Sequence, residues 1–108
     1  FRSLLTMSDL ALADATNCEA GQNWLHLFGR PGCGCVQRAR KELGHMEGFQ
    51  FFDCGVDGRS PLCDAVKNKV FGVEATGHGP KVVRCQDGNL LSNWGWRGME
   101  ASGPALGL

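Results

Sequence analysis

The sequence has no excess of charge of either sign: 11 Lys and Arg are balanced by 11 Asp and Glu. Without a basic stripe or a polybasic run, nothing points to nucleic acid or to an anionic membrane surface. No apolar run approaches the roughly 20 residues that a membrane-spanning helix needs. Internal repeats and low-complexity segments are also lacking, which excludes solenoid architectures and long linkers. What remains is an ordinary globular composition, 43% hydrophobic and 20% charged over 108 residues. That length suits one domain, 1–108, able to build a core without metal or disulfide staples. The first residue is Phe1 rather than Met. The expectation is a processed or trimmed chain, with an organelle as one destination after removal of a targeting peptide.

Cysteine is the residue in unusual supply. The six are Cys18, Cys33, Cys35, Cys54, Cys63 and Cys85, and six cysteines can pair in 15 ways. They fit an oxidising compartment, or a reduced protein with buried thiols.

The hydrophobic pattern gives an order of elements. Residues 2–6 read as a short strand, and Ser8 reads as the N-cap of a helix running to about Cys18. "NWLHLFG" (23–29) is an apolar run between turn signals, hence a buried strand. From Cys33 the period becomes helical, with Val36, Ala39, Leu43 and Met46 on one face and Gly48 as the stop. "FQFFDCGV" (49–56) reads as a second buried strand. A third helix opens at Pro61 and places Leu62, Val66 and Val70 at spacings of four, ending at Gly72. Residues 80–96 read as a hairpin about Asp87-Gly88, and 97–108 as one weak helix at best. Alternation followed by a hairpin implies an α/β fold, with a mixed sheet of four to five strands covered by helices on both faces.

"RPGCGC" (30–35) falls at a strand-to-helix junction. With "FGRPGC" (28–33), "VDGRSPLCDAVKNKVFGV" (56–73) and "GHGPKVVRCQDGNLL" (77–91), in this order and spacing, the chain resembles the thioredoxin-like superfamily over most of residues 5–96. The resemblance implies a thioredoxin-like fold, a cis peptide bond before Pro80, and a substrate held beside Cys33 by Arg30 and by backbone pairing at Gly79 and Pro80. The chain departs from the family pattern in several places. Gly32 stands where a Trp precedes the first cysteine, and Leu27 where a buried acid helps move protons. One residue rather than two separates the cysteines, Gly79 precedes the proline, and the last helix is eroded.

The chemistry follows from the residues themselves. A thiolate is the nucleophile of disulfide exchange. A thiol at a helix N-terminus is acidified by the free N–H groups and the dipole, and Arg30 adds positive potential. Cys33 is therefore the candidate attacking thiol, and Cys35, expected to turn toward the core, the candidate resolving thiol. Residues two apart on a helix diverge, so a Cys33–Cys35 disulfide needs the freedom of Gly32 and Gly34. It would be strained, and hence oxidising. Metal ligation by this pair with His78, and thiols left over on an inherited scaffold, are the competing readings. Neither a cofactor nor a metal is expected.

Cys54, Cys63 and Cys85 are expected in the core, with a Cys54–Cys63 disulfide as an alternative, and Cys18 is expected nearer the surface. His26 reads as a satisfied core histidine. Trp94 and Trp96 alternate about Gly95, so they are expected on one face, open to a partner. Two functions result. One is a thiol-disulfide oxidoreductase or isomerase acting on a protein or small thiol. The other is a non-catalytic thioredoxin-fold subunit of a larger assembly.

Overall fold

The computed structural model describes residues 6–75 and 79–108. The strand expected at 2–6 and the ligand role considered for His78 therefore lie, wholly or nearly so, outside the described residues. The elements are α1 (Met7–Thr16), β1 (Asn23–Gly29), α2 (Gly34–Leu43), β2 (Phe49–Asp53), α3 (Pro61–Val66), a π-helical turn (Lys67–Phe71), β3 (Lys81–Gln86), β4 (Asn89–Trp94), α4 (Met99–Ser102) and a closing 3-10 turn (Gly103–Leu106). The four strands form one mixed sheet in the order β2-β1-β3-β4. β1 runs parallel to β2, with Leu25 opposite Phe49, and antiparallel to β3, with Phe28 opposite Lys81.

Strand alternation divides β1 between two cores. Leu25 and Leu27 pack with Ala39 and Leu43 of α2, and with Val82, Trp96 and Leu106. Phe28 and Val83 turn to the other face, where they meet Ala15 of α1 and Cys63 and Val66 of α3. The fold is thus α/β with helices on both faces, as the pattern of apolar residues requires. The C-terminal helix is only four residues before it tightens into the 3-10 turn.

Local chemistry moves some boundaries. Helix α1 is capped by Thr6, not Ser8: the Thr6 hydroxyl accepts from the Asp9 amide at 3.0 Å, and the Asp9 carboxylate accepts from the Thr6 amide at 3.1 Å. A reciprocal capping box satisfies two free donors at once, where a lone serine satisfies one. The hairpin turns on Asp87 (φ 49°) and Gly88 (φ 85°), the pair of positive φ values that a two-residue turn between twisted strands demands.

Two sequence expectations fail at the start and end of that hairpin. Among the described residues there is no cis peptide bond, so Gly79–Pro80 is trans. Trans is the intrinsically preferred isomer, and the segment is anchored by other means: the Pro80 carbonyl accepts from the amides of both Gly95 (2.9 Å) and Trp96 (2.8 Å). Two consecutive amides on one carbonyl, with Gly95 at φ 82°, make a bulge, which resets the alternation. Trp94 and Trp96 consequently face opposite sides of the sheet. Trp94 packs on Phe71 with ring centroids 4.9 Å apart. Trp96 is buried among the α2-side residues and donates its indole N–H to Glu42 at 2.9 Å. The shared tryptophan face does not exist.

Four of the six cysteines are paired, as Cys18–Cys85 and Cys54–Cys63. Burial was the right expectation for Cys54, Cys63 and Cys85; the Cys54–Cys63 bridge named as the alternative is present, whereas the pairing of Cys85 with Cys18 was not expected. The loop after α1 is clasped to the hairpin turn: Gly21 N–H donates to the Asp87 carboxylate (2.6 Å), and Asp87 N–H to the Gln22 carbonyl (2.8 Å). This long-range clasp brings Cys18 to Cys85, with a Cα separation of 5.4 Å. His26 is a satisfied core histidine. Its Nδ1 lies 2.8 Å from the Ala15 carbonyl, its ring stacks on Trp24 at 4.0 Å, and burial lowers its pKa.

Candidate functional site

Cys33 and Cys35 are the two free thiols among the described residues. Both lie where β1 ends and α2 begins, with Cys33 at the N-cap position of α2 in an extended conformation (φ −80°, ψ 127°). The junction is held tightly. A Cβ on Gly29 would come within 2.5 Å of Val36 Cγ2, so glycine at the end of β1 lets α2 seat its first buried residue directly on the strand. Cys33 N–H donates to the Arg30 carbonyl at 3.2 Å, and the Cys33 carbonyl receives Gln37 N–H at 3.0 Å to start the helix.

The Cys33 sulfur makes no formal capping hydrogen bond, yet it lies in the field of the first helical amides. The Val36 amide lowers its pKa most, followed by that of Cys35. Slight burial opposes them, and Arg30 and the Cys35 thiol add smaller effects in the lowering direction. These are the N2 and N3 amides that a capping oxygen would normally engage; here a sulfur takes the place, and its anionic form is favoured. Arg30 is held by its stem against Gly58, where a Cβ would stand 3.0 Å from Arg30 Cγ. The Arg30 Nε is buried with no hydrogen-bond partner among the described residues.

Cys35 is not turned to the core. It is exposed, whereas Cys33 is half-buried. The core stripe of α2 begins with Val36 and continues through Ala39 and Leu43, which leaves Cys35 about 100° round the helix from it. The Arg38 Nη2 lies 3.6 Å from the Cys35 sulfur. This thiol opens onto a groove of about 590 Å³ shared with Arg38, Lys41, Trp96 and Arg97. The order of accessibility is therefore the reverse of the sequence expectation.

Lys81 is a neighbour that sequence reasoning passed over. It follows Pro80 into β3, pairs across the sheet with Phe28 and Trp94, and holds its ammonium 4.4 Å from the Trp94 ring centroid. Burial lowers its pKa, and Arg30 lowers it further, while Cys33 opposes the shift. The start of β3, just after Pro80, thus lies beside the end of β1 that leads into Arg30 and Cys33. The only sequence signal for Lys81 was a charged residue opening an otherwise apolar strand.

Alkylation separates the two thiols. Access favours Cys35, while a stabilised thiolate favours Cys33. The expected Cys33 rate rises with pH about a midpoint below the roughly 8.5 of an unperturbed thiol. Because Arg30 ranks behind the helix amides, Arg30→Met should raise that midpoint only slightly. Peptide-resolved iodoacetamide kinetics measure both, and a Cys33 midpoint at or above the ordinary value would remove the helix-amide account.

Among the described residues, no group of three or more His, Cys, Asp or Glu is placed to hold a metal ion, and no helix is long and apolar enough to cross a membrane. Comparison with family models, with curated proteins and with solved structures finds no match to this chain.

Proposed function

We propose that the protein is a thiol-disulfide oxidoreductase of thioredoxin-like type, with Cys33 as nucleophile and Cys35 as resolving thiol. The observation that carries this reading is Cys33 at the N-cap of α2, its sulfur drawn toward thiolate by the Val36 and Cys35 amides. The mixed sheet, with the start of β3 beside the end of β1, agrees with the family resemblance. The trans Gly79–Pro80 bond does not.

The step balances as follows. The Cys33 thiolate attacks one sulfur of a substrate disulfide. The Cys33–substrate bond forms, the substrate S–S bond breaks, and the departing thiolate takes a proton from water. Cys35 then loses its proton and attacks the Cys33 sulfur, expelling the second substrate thiolate. The substrate gains two electrons and the Cys33–Cys35 pair loses them. Run backwards, the oxidised pair introduces a disulfide into a substrate dithiol. A pair separated by one glycine closes a small ring, so its disulfide is readily reduced, and the oxidising direction is favoured.

Pro80 lacks an N–H, and its carbonyl already accepts two amides. Backbone pairing to a substrate is therefore left to Gly79, with Arg30 supplying charge. The accessory-subunit reading drew in part on an open face shared by Trp94 and Trp96, and that part is gone, while the four-residue C-terminal helix still agrees with it.

A glutathione redox titration with mass-spectrometric assignment of each cysteine tests the proposal. Cys33 and Cys35 should become protected from alkylation together, with one midpoint, while Cys18–Cys85 and Cys54–Cys63 remain oxidised throughout. Cys33 and Cys35 titrating independently, or pairing with other cysteines, would overturn it.

A further inference from the structure

The groove beside Cys35 carries three cations, Arg38, Lys41 and Arg97, against one carboxylate, Glu42, on a chain of zero formal net charge. We propose that this groove docks an acidic segment of a substrate protein, lying extended along α2 beside the sulfur that Cys33 attacks. Resting on the oxidoreductase reading, this docking names the class of its substrate: a protein whose reactive cysteine is bordered by Asp and Glu.

Shape favours a length of chain over a compact ion. Cys35, Arg38 and Glu42 fall at steps of three and four, so they form one ridge of α2. The ridge is about 10 Å long at 1.5 Å per helical residue, roughly the length of three extended residues. Trp96 and Arg97 form the facing wall, and the enclosed volume of about 590 Å³ lies in the range of ligand-binding clefts. Cys33, the N-cap, stands at the tip of the same helix. A segment lying on the ridge therefore points its leading residue toward the attacking thiol.

Charge decides the sign of the occupant. Glu42 is already engaged, accepting the Trp96 indole N–H at 2.9 Å. Arg38 contacts the Cys35 sulfur at 3.6 Å. Arg97 is fixed through its main chain, whose N–H donates to the Ser102 hydroxyl at 2.8 Å. The side chains of Lys41 and Arg97 form no hydrogen bond or ion pair among the described residues. Arg38 and Lys41, three apart on one helix, repel each other, and carboxylates laid between them relieve that cost. All three cations are exposed, so each contact is weak and the selection comes from the three together.

The test uses Cys35→Ser, in which Cys33 is the one free thiol among the described residues and its adduct persists. Blocked peptides carry a central cysteine activated as a pyridyl disulfide, bordered on both sides by Glu, by Gln or by Lys. The Cys33 thiolate bonds to the peptide sulfur, the sulfur–sulfur bond to the pyridine breaks, and the released thiopyridone is read by absorbance. Each rate is divided by that of a blocked cysteine amide with the same peptide. At low ionic strength the Glu peptide should react about tenfold faster than the Gln peptide, and the Lys peptide more slowly than either. The gain should fall below about twofold at about 1 M salt, where the Debye length is about 3 Å. Combining Arg38→Gln, Lys41→Gln and Arg97→Gln should remove it, and Lys67→Gln, outside the groove, should leave it intact.

Equal rates for the Glu and Gln peptides would overturn the proposal. A gain that survives the triple change would also overturn it, placing the selection at Arg30. An equal gain for a small activated disulfide bearing two carboxylates would reassign the groove to a small anion. Any thiolate attacks an activated disulfide, so the charge preference is read whether or not Cys33 and Cys35 act as a pair. Failure of the oxidoreductase reading appears separately, as independent titration of the two thiols in glutathione.

Discussion

Cys33→Ser is expected to abolish disulfide exchange completely, and Cys35→Ser to trap a covalent complex with the substrate. The asymmetry follows from position. Cys33 is the N-cap of α2, and the amides of Val36 and Cys35, then Arg30, favour its anion. A serine hydroxyl at the same place is not ionised at neutral pH, so the helix field has no nucleophile to act on. In the proposed exchange, Cys35 meets the second requirement, resolution. Without it, attack by Cys33 still forms a mixed disulfide, and nothing within the chain expels the substrate. Exchange measured with a fluorescent dithiol substrate should fall to the buffer background in Cys33→Ser. Non-reducing electrophoresis of Cys35→Ser should show a band that dithiothreitol removes. Retained exchange in Cys33→Ser would show that Cys35, the more exposed thiol, is the attacking group, and would reverse the assigned roles.

The second large effect concerns stability. Removing Cys18–Cys85 through the double Ala variant should cost about 4 kcal/mol, and removing Cys54–Cys63 about 2.5 kcal/mol, on the chain-entropy relation. The difference comes from loop length, a sequence separation of 67 in the first case and 9 in the second. Against a typical domain stability of about 5–15 kcal/mol, loss of the longer link is close to the margin. Urea denaturation of the two variants should rank them in that order. Equal losses would show that local packing around each pair, rather than restriction of the unfolded chain, sets the cost. Both disulfides fit an oxidising environment, the setting in which an oxidising Cys33–Cys35 pair would operate.

The outline of the fold was legible because its elements are short and each follows one physical rule. β1 (Asn23–Gly29) is a continuous apolar run between turn residues, as a strand covered on both faces must be. The Val36, Ala39 and Leu43 stripe of α2 is a helical period written directly in the sequence. The turn at Asp87-Gly88 is set by backbone sterics, which few other residue pairs satisfy. The placement of Cys33 at the tip of a helix followed from the same local signals, with Pro31 and Gly32 ending the strand.

What the sequence could not determine depends on contacts between distant residues. The Cys18–Cys85 pair is decided by the clasp of Gly21 and Gln22 on Asp87, which no local pattern announces. Trp94 and Trp96 part to opposite faces because two amides, Gly95 and Trp96, share the Pro80 carbonyl, and a bulge is invisible to a rule of alternation. Cys35 faces solvent because Val36 takes the seat above Gly29. The period of the helix allowed either residue to lead the buried stripe, and only the close approach of β1 chose between them. Lys81 acquires its setting from strand register, which aligns it with Phe28 and Trp94. By itself the sequence determined the order of elements from α1 onward and the helix-tip thiol, since those arise from steric and periodic preferences within a few residues. The tertiary structure alone decided that Cys18 pairs with Cys85, which thiol is open and which rings flank Lys81, because each depends on where the sheet brings together segments far apart in the chain.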